Sequence, residues 1–286
     1  MKRHGKIAIA GFLLFLIASL TNCKNNKSAT PFFFIQVTDP QFGFFEENKG
    51  FSRETELYEK AVNAINRLNP EFVVITGDLV NDKDDTSQIA EFKRITLTIK
   101  RKIPVYYSPG NHDIGLTPTR QDIDSFISHF GQDKFSFQCK NSTFIGLNSC
   151  IIKANTPLLE QIQFDWLKKE LLKARSANHI ILFCHYPFFI NSFEEPETYF
   201  NIPVETRHKY FSLFKESKVD AVFAGHLHNN SSATYENILM ITTSAVGKPL
   251  ADAPSGIRIV KVYPHRIEND YYTLDKIPET IILQDN

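Results

Sequence analysis

Gly225-His226-Leu227-His228 is the most informative stretch of this 286-residue chain. It follows an apolar run, residues 219–224, with the length and composition of a buried strand. Two histidines separated by one residue at the end of such a strand have the spacing of metal ligands. One pair of histidines is weak evidence for a metal site, so the inference depends on the residues at the other strand ends.

Four more polar clusters each follow an apolar run: Asp39-Pro40-Gln41, Gly77-Asp78, Gly110-Asn111-His112-Asp113 and His185. Segments with helical spacing separate several of these runs, and the alternation predicts parallel βαβ units. The carboxyl ends of parallel strands meet at one edge of a sheet, where α/β folds keep their chemistry. We therefore expect the five clusters to converge on one site.

The apolar pattern of the whole chain predicts an α/β fold in which two sheets pack face to face with helices outside. Buried strands are expected at residues 32–38, 72–76, 103–108, 179–184 and 219–224, and a pair of strands at 135–138 and 143–148. Helices are expected at residues 54–68, 88–100, 120–130, 161–174 and 204–217, the fourth of them burying Ile162, Trp166, Leu167 and Leu171. Residues 238–244, 256–263 and 266–274 follow without helices and predict an antiparallel meander.

Composition favours one large globular domain over residues 32–286. The chain has 42% hydrophobic residues, enough for a sizeable core, and lacks a Pro/Gly/Ser-rich linker after about residue 31. Its 32 basic residues balance its 32 acidic residues. Without a net positive charge or a long basic run, a nucleic-acid partner is not expected.

The first 23 residues have the pattern of a targeting segment. Lys2, Arg3 and Lys6 precede an apolar stretch, residues 7–20, that is short for a transmembrane helix. Leu20-Thr21-Asn22-Cys23 resembles a bacterial lipobox, with Cys23 as the lipidated residue and residues 24–31 as a tether. The sequence thus predicts an exported, membrane-anchored bacterial lipoprotein, facing the periplasm or the cell surface. An ordinary cleaved signal or an uncleaved anchor are the alternatives.

Three further cysteines do not suggest a full disulfide framework. Cys139 and Cys150 flank the expected hairpin, so they could pair or remain free thiols. Cys184 lies in an apolar strand and is expected to pack as a small hydrophobic residue.

The predicted ligands are Asp39, Gln41, Asp78, Asn111, His185, His226 and His228. Seven oxygen and nitrogen donors are too many for one transition metal, but they suffice for two metals about 3.5–4 Å apart if one carboxylate bridges. Asp78 is the natural bridge, because the preceding glycine lets the backbone turn close to the metals. Two adjacent metals suit phosphoester hydrolysis, since they bind phosphate oxygens and lower the pKa of a bound water.

His112 stands apart from the ligands and is the candidate general acid for the leaving oxygen. A carboxylate or carbonyl partner would be needed to hold its imidazole protonated. Asp113 is a nearby candidate in sequence, although adjacency does not establish contact.

The order of these five clusters resembles the signature of the calcineurin-like metallophosphoesterases. Residues 38–43, 110–119 and 271–275 look like one branch of that family with vertebrate members. The resemblance implies a four-layer α/β/β/α sandwich of two mixed sheets and a dinuclear centre of Mn, Fe or Zn. It also implies His112 as the leaving-group acid.

The resemblance also divides the ligands between the two metals. It gives one metal Asp39, Gln41, Asp78 and His228, and gives the other Asp78, Asn111, His185 and His226. Gln41 departs from the histidine found in most of the family, and an amide oxygen binds such a metal more weakly than imidazole does. Asn81 stands where the protein phosphatases of the family have an Asp that orients the acid histidine.

Three functions remain open from the sequence. The first is a phosphomonoesterase, perhaps acting on Ser/Thr phosphoproteins, with a phosphoester as its partner. The second is a phosphodiesterase acting on cyclic nucleotides or lipid head groups. The third is a non-catalytic, metal-binding surface lipoprotein.

The loop after His185 is expected to bear on the substrate. Tyr186, Phe188 and Phe189 either wall the cleft or belong to the core, and the core is the preferred interpretation. Three glutamates in residues 194–197 would repel a polyanionic substrate if they faced the metals. Arg207 could bind phosphate, although a helix-surface position is the preferred interpretation.

Overall fold

Two β-sheets packed face to face form the centre of the protein in a computed structural model, which describes residues 30–250 and 252–284. The elements of these residues, in chain order, are β1 (Phe32–Val37), α1 (Ser52–Leu68), β2 (Val73–Thr76), α2 (Thr86–Thr96), β3 (Val105–Ser108), α3 (Asn111–Ile114), α4 (Arg120–Phe130), β4 (Phe135–Cys139), β5 (Ser142–Gly146), α5 (Ser149–Lys153), α6 (Pro157–Ala174), β6 (His179–Phe183), α7 (Val204–Ser217), β7 (Ala221–Ala224), β8 (Ser231–Tyr235), β9 (Ile238–Thr242), β10 (Gly256–Val262) and β11 (Ile267–Thr273).

Both sheets are mixed. The first has the order β11-β10-β1-β2-β3, in which β1, β2 and β3 run parallel and β10 and β11 are antiparallel additions. The second has the order β4-β5-β6-β7-β9-β8, with parallel pairing from β5 to β9 and an antiparallel strand at each edge. The predicted α/β sandwich of two mixed sheets is confirmed.

Phenylalanine side chains fill the space between the sheets. Phe34 of β1 has its ring centroid 5.6 Å from that of Phe144 in β5 and 5.5 Å from that of Phe183 in β6. Its neighbours Phe33 and Ile35 belong instead to the core that includes the helix residues. Successive strand residues point to opposite faces, so one strand contributes to both layers.

The predicted antiparallel meander after residue 238 is confirmed for its last two strands, β10 and β11, and is wrong for its first. Strand β9 pairs in parallel with β7 in the second sheet, whereas β10 and β11 extend the first sheet beside β1. Strand β8 was not predicted, because its sequence Ser-Ser-Ala-Thr-Tyr is largely polar at a sheet edge. A tight turn through Glu236 and Asn237, both with positive φ, joins β8 to β9.

Helix α6 buries a partly different face from the predicted one. Leu167 and Leu171 are buried as expected, but Ile162 is 55% exposed and Gln163 is buried in its place. The Gln163 amide accepts from the Asn148 backbone N–H at 2.9 Å and donates to its carbonyl at 3.0 Å. A buried amide satisfied by main-chain groups is compatible with the core, so apolar spacing alone misassigned this face.

The predicted targeting segment and lipobox fall on residues 1–29 and lie outside the described residues. Over the part of the chain that the structure describes, no helix is long and apolar enough to cross a membrane. Cys139 and Cys150 are free thiols, which settles the alternative between a disulfide and unpaired cysteines. Cys184 is fully buried, as expected.

Candidate metal centre

The polar clusters that follow five parallel strands lie together at one edge of the sandwich. Asp39 and Gln41 follow β1, Asp78 follows β2, and Asn111 follows β3. His185 follows β6, and the pair His226 and His228 follows β7. All seven side chains are buried. The two sheets therefore bring together donors that are spread over residues 39–228.

The backbone at this edge is strained. Five of the predicted ligands adopt a positive φ: Asp39 (50°), Gln41 (40°), Asp78 (48°), His226 (71°) and His228 (51°). The left-handed region costs non-glycine residues roughly 1–3 kcal/mol each and persists only where the surrounding structure enforces it. Such a concentration of strain at one site is typical of a functional centre.

Gly77 permits the close approach of two ligand loops. Its φ is +87°, and an added Cβ would lie 2.6 Å from His185 Nδ1 and 2.7 Å from the Gly110 backbone nitrogen. Any side chain at this position would push Asp78 and His185 apart. The glycine expected before the bridging carboxylate is thus required by both conformation and space.

Asp39, Asp78 and His228 form the first group of donors, with ligand atoms within 4.8 Å of one another. The Asp39 Oδ2 atom accepts from the Thr38 hydroxyl at 2.6 Å and from the His226 backbone N–H at 3.0 Å. These bonds leave Oδ1 facing His228 Nε2 at 3.4 Å. The Nδ1–H of His228 donates to the Lys248 carbonyl, which fixes the ring with Nε2 inward.

Asp78, His185 and His226 form the second group, also within 4.8 Å. His185 Nε2 lies 3.2 Å from Asp78 Oδ2, 3.1 Å from His226 Nδ1 and 3.2 Å from Asn111 Oδ1. The His185 Nδ1–H donates to the Thr76 carbonyl at 2.9 Å. Asp78 is the residue common to both groups, as the prediction of a bridging carboxylate requires.

Gln41 lies beside the first group with its amide held in one orientation. Its Nε2 donates to Asn81 Oδ1 at 3.0 Å, and Asn81 Nδ2 donates to Asn48 Oδ1 at 2.6 Å. Gln41 Oε1 is buried and has no hydrogen-bond partner among the described residues. This chain of amides therefore occupies the nitrogen and leaves the oxygen as the atom available to a cation.

The donor set fits two divalent cations. Asp39 Oδ1, like Gln41 Oε1, is buried without a hydrogen-bond partner among the residues described. Burying such atoms unsatisfied costs roughly 1–3 kcal/mol each, and a cation would remove that cost. Carboxylate, amide oxygen and imidazole are ligands for divalent metals, and the two groups that share Asp78 offer two candidate sites.

The charges of neighbouring donors strongly shift the pKa values of two histidines. Burial alone would lower the pKa of His185, but the adjacent Asp78 carboxylate outweighs it and raises that pKa to about 9. Burial, together with the charge of His185, lowers the pKa of His226 to about 3. His185 would have to lose a proton to hold a cation, so the affinity of the site for metal is expected to rise with pH.

His112 lies outside both groups and is half-buried. Its Nδ1–H donates to the Asn81 carbonyl at 2.8 Å, and its backbone N–H donates to Asp78 Oδ1 at 2.8 Å. The partner is therefore a carbonyl. Asp113 instead accepts from the backbone N–H groups of Gly110 at 2.7 Å and Leu79 at 2.8 Å, bracing the two loops.

Three supporting residues were missed by sequence reasoning: Thr38 and Lys248, which hold candidate ligands, and Tyr199, which accepts from Asn111 Nδ2 at 3.3 Å. Lys248 holds a histidine through its carbonyl, which every residue possesses, so no sequence signal marks it. Asn81 stands at the position that the resemblance marked, but it holds His112 through its backbone carbonyl and not through its side chain. Thr38 adjoins a ligand and could have been found from that adjacency.

Replacing Gln41 by Leu should remove one metal from the protein. The change deletes the unpartnered oxygen but leaves Asp39, Asp78 and His228 in place. We expect the metal content to fall from two ions towards one, with affinity for the lost ion weakened by about 10–100-fold. Equilibrium dialysis followed by elemental analysis measures both. The exposed Gln138 provides the matched control Gln138→Leu, which should retain two ions. Two tightly bound ions in Gln41→Leu would contradict the role of this amide.

The sandwich and the carboxylate–histidine groups at its strand ends are those of a metal-dependent phosphoesterase. The chain belongs to the calcineurin-like phosphoesterase family, whose model matches residues 34–230. Relatives from Pongo abelii and Homo sapiens, each named serine/threonine-protein phosphatase CPPED1, are 38% identical over 282 residues, which is 92% of this chain and 90% of each relative. A solved dimetal phosphatase from Danio rerio has the same fold, with 15% identity and a TM-score of 0.60 over 85% of this chain and 99% of its own.

These likenesses confirm the predicted metal-dependent phosphoester hydrolase and its phosphoester substrate class. The predicted localisation as an exported, membrane-anchored bacterial lipoprotein is wrong. The relatives that match nearly the whole chain are vertebrate phosphatases and not bacterial lipoproteins. A lipid anchor through Cys23 is accordingly not supported. The basic and apolar pattern of the first 23 residues was taken for a targeting signal from sequence alone.

Proposed function

We propose that this chain is a dinuclear phosphomonoesterase acting on phosphoserine and phosphothreonine in proteins, with residues 32–286 as its catalytic domain. The observation that carries the proposal is the pair of donor groups that share Asp78. One ion would be held by Asp39, Gln41, Asp78 and His228, the other by Asp78, Asn111, His185 and His226. The mixed oxygen and nitrogen donors favour Mn, Fe or Zn. The names of the vertebrate relatives support the phosphoprotein substrate.

Two such ions supply Lewis acidity towards the phosphate oxygens and a nucleophile at neutral pH. The protein contributes a rigid ligand set, because Thr38, Thr76 and the Lys248 carbonyl each fix one ligand side chain. His112 has Nδ1 committed to the Asn81 carbonyl, so its Nε2 is free to give a proton to the departing alkoxide. Its backbone link to Asp78 sets its distance from the ligands.

The position of the Lys248 ammonium group favours a phosphomonoester substrate over a phosphodiester. Its Nζ lies 4.9 Å from the centroid of the Phe44 ring, and that ring lies 5.4 Å from His228. Within the described part of the chain, the ammonium forms no ion pair with a carboxylate. The segment that carries it is fixed to the ligand loops, since the Gly247 N–H donates to the Asp39 carbonyl at 3.1 Å. A free cation at the rim favours the second negative charge of a monoester dianion.

With Mn²⁺ added, the purified chain should hydrolyse p-nitrophenyl phosphate faster than bis(p-nitrophenyl) phosphate. Lys248→Met should raise the KM for the monoester by roughly tenfold, equivalent to about 1.4 kcal/mol, and should leave the KM for the diester almost unchanged. Steady-state kinetics on both esters measures the split, and Lys102→Met, at an exposed lysine, is the control. A wild-type preference for the diester would reverse the proposal.

A further inference from the structure

Two partly exposed aromatic side chains border the second donor group. The ring centroids of Tyr199 and Phe200 lie 5.0 Å and 5.7 Å from that of His226. Tyr199 is 49% exposed and Phe200 is 39% exposed, although both contact a residue that is itself buried. Large apolar groups facing solvent beside a candidate catalytic centre are typical of ligand-binding surfaces. We call Tyr199 and Phe200 the aromatic wall.

Arg207 donates hydrogen bonds to the loop that carries the aromatic wall. Neither earlier interpretation of Arg207 is correct, because it is fully buried in α7 and contacts main-chain carbonyls. Its Nε–H donates to the Ile202 carbonyl at 2.7 Å, and its Nη1 donates to the carbonyls of Phe193 at 2.6 Å and Glu195 at 2.7 Å. Because the guanidinium donates to carbonyls near residues 193 and 202, it fixes both ends of the loop between them.

Further polar contacts make the loop rigid. Glu195 accepts from the backbone N–H of Ile190 at 2.7 Å and of Asn191 at 2.8 Å, so its carboxylate braces the loop. Lys153 donates to the Thr198 carbonyl at 2.6 Å and to the Asn201 carbonyl at 2.8 Å. The aromatic wall is thus a preformed surface, and ordering it on binding costs little entropy.

A third aromatic side chain borders the first donor group. Phe44 has its ring 5.4 Å from His228 and 6.4 Å from His112. Aromatic surface therefore flanks the ligand set at both ends, by His228 and by His226. A phosphate placed between the two donor groups would have its ester substituent beside apolar surface. A small polar alcohol would leave the wall in contact with water.

We infer that the aromatic wall binds an apolar side chain next to the phosphorylated residue, so that the cleft selects phosphopeptides with an apolar neighbour over those with a polar one. This inference rests on the proposed phosphomonoesterase function and adds the substrate class. Burial of one apolar side chain against preformed aromatic rings removes area from water on both partners. Discrimination by apolar pockets is about 10–200-fold, and an open wall belongs at the lower end of that range.

A matched pair of phosphoserine peptides tests the inference. The two differ only in having Leu or Ser on both sides of the phosphoserine, so the leaving alcohol is the same. With the Mn²⁺-loaded full chain, kcat/KM should be about tenfold higher for the Leu peptide, through KM and not kcat. If neither peptide is hydrolysed, the proposed function fails. If both are hydrolysed with equal kcat/KM, only the inference fails.

Substitutions in the aromatic wall test whether it causes the preference for the Leu peptide. Phe200→Ser should bring the ratio of the two kcat/KM values close to one. Tyr199→Phe keeps the ring and removes the hydroxyl that contacts Asn111, so it should keep the ratio. Leu97→Ser, at an 81% exposed side chain just after α2, controls for loss of surface apolar area. If Phe200→Ser slows both peptides equally, or loses metal by elemental analysis, Phe200 is structural and the inference is overturned.

Discussion

Asp78→Asn is expected to reduce kcat/KM for p-nitrophenyl phosphate by at least about 10³-fold. Asp78 is common to both donor groups, so the change removes one anionic ligand from each ion at once. A 10³-fold loss corresponds to about 4 kcal/mol at 1.36 kcal/mol per tenfold, which is within the several kcal/mol attributed to metal stabilisation of the transition state. Kinetics and elemental analysis on the same preparation measure activity and metal content together.

The variant should fold, because asparagine tolerates the left-handed φ of 48° at this position. The amide oxygen can still accept from the His112 backbone N–H, which now bonds Oδ1 at 2.8 Å. Asp84→Asn, at an exposed carboxylate six residues along the chain, is the matched control and should keep full activity and metal. Unchanged activity in Asp78→Asn would remove the dinuclear mechanism, whatever the family assignment.

The strand ends were predictable because their signals are local. An apolar run followed by a glycine and an acid, as at Gly77-Asp78, combines burial, a required backbone conformation and a donor in a few residues. Parallel pairing then brings such ends to one edge without further information. The sequence therefore allowed the seven donors to be named before their distances were known, and the structure places all seven at that edge.

What escaped prediction depends on tertiary contacts. Strand β8 has little apolar content and forms only because β9 offers an edge to pair with. Arg207 looks like a surface residue on an ordinary helix, and it is buried because the loop through Ile202 folds over it. The carbonyl that orients His228 belongs to Lys248 by position alone. No spacing or composition marks such contacts.

The positive φ angles of the candidate ligands have a cost for the stability of the fold. Positions with positive φ at Asp39, Gln41, Asp78, His226 and His228 would be more stable as glycine or asparagine. Retaining larger side chains there lowers the stability of the fold in exchange for a fixed donor geometry. The amide chain from Gln41 through Asn81 serves the same end, since it orients one oxygen that an unrestrained glutamine would present only part of the time.

His112→Gln is expected to separate two classes of substrate. A phosphoserine peptide needs a proton on its departing alkoxide, so its kcat should fall by about 10²–10⁴-fold. p-Nitrophenolate leaves without that help, and its kcat should fall by much less. Metal content should stay at two ions, because the imidazole is in neither donor group and the backbone N–H that holds Asp78 is retained. Steady-state kinetics on both substrates measure the difference.

His129→Gln, on the neighbouring helix α4, is the control for this change because His129 is also half-buried but contacts Phe130 and no donor. It should leave both substrates unaffected. If His112→Gln lowered kcat for both substrates by the same factor and lost metal in proportion, the role of His112 would be to hold the Asp78 loop in place. The Asn81 carbonyl at 2.8 Å would then hold the ring for packing alone. A selective loss on the alkyl ester requires instead that Nε2 reaches the leaving oxygen, which only a histidine held at Nδ1 and outside the ligand set can do.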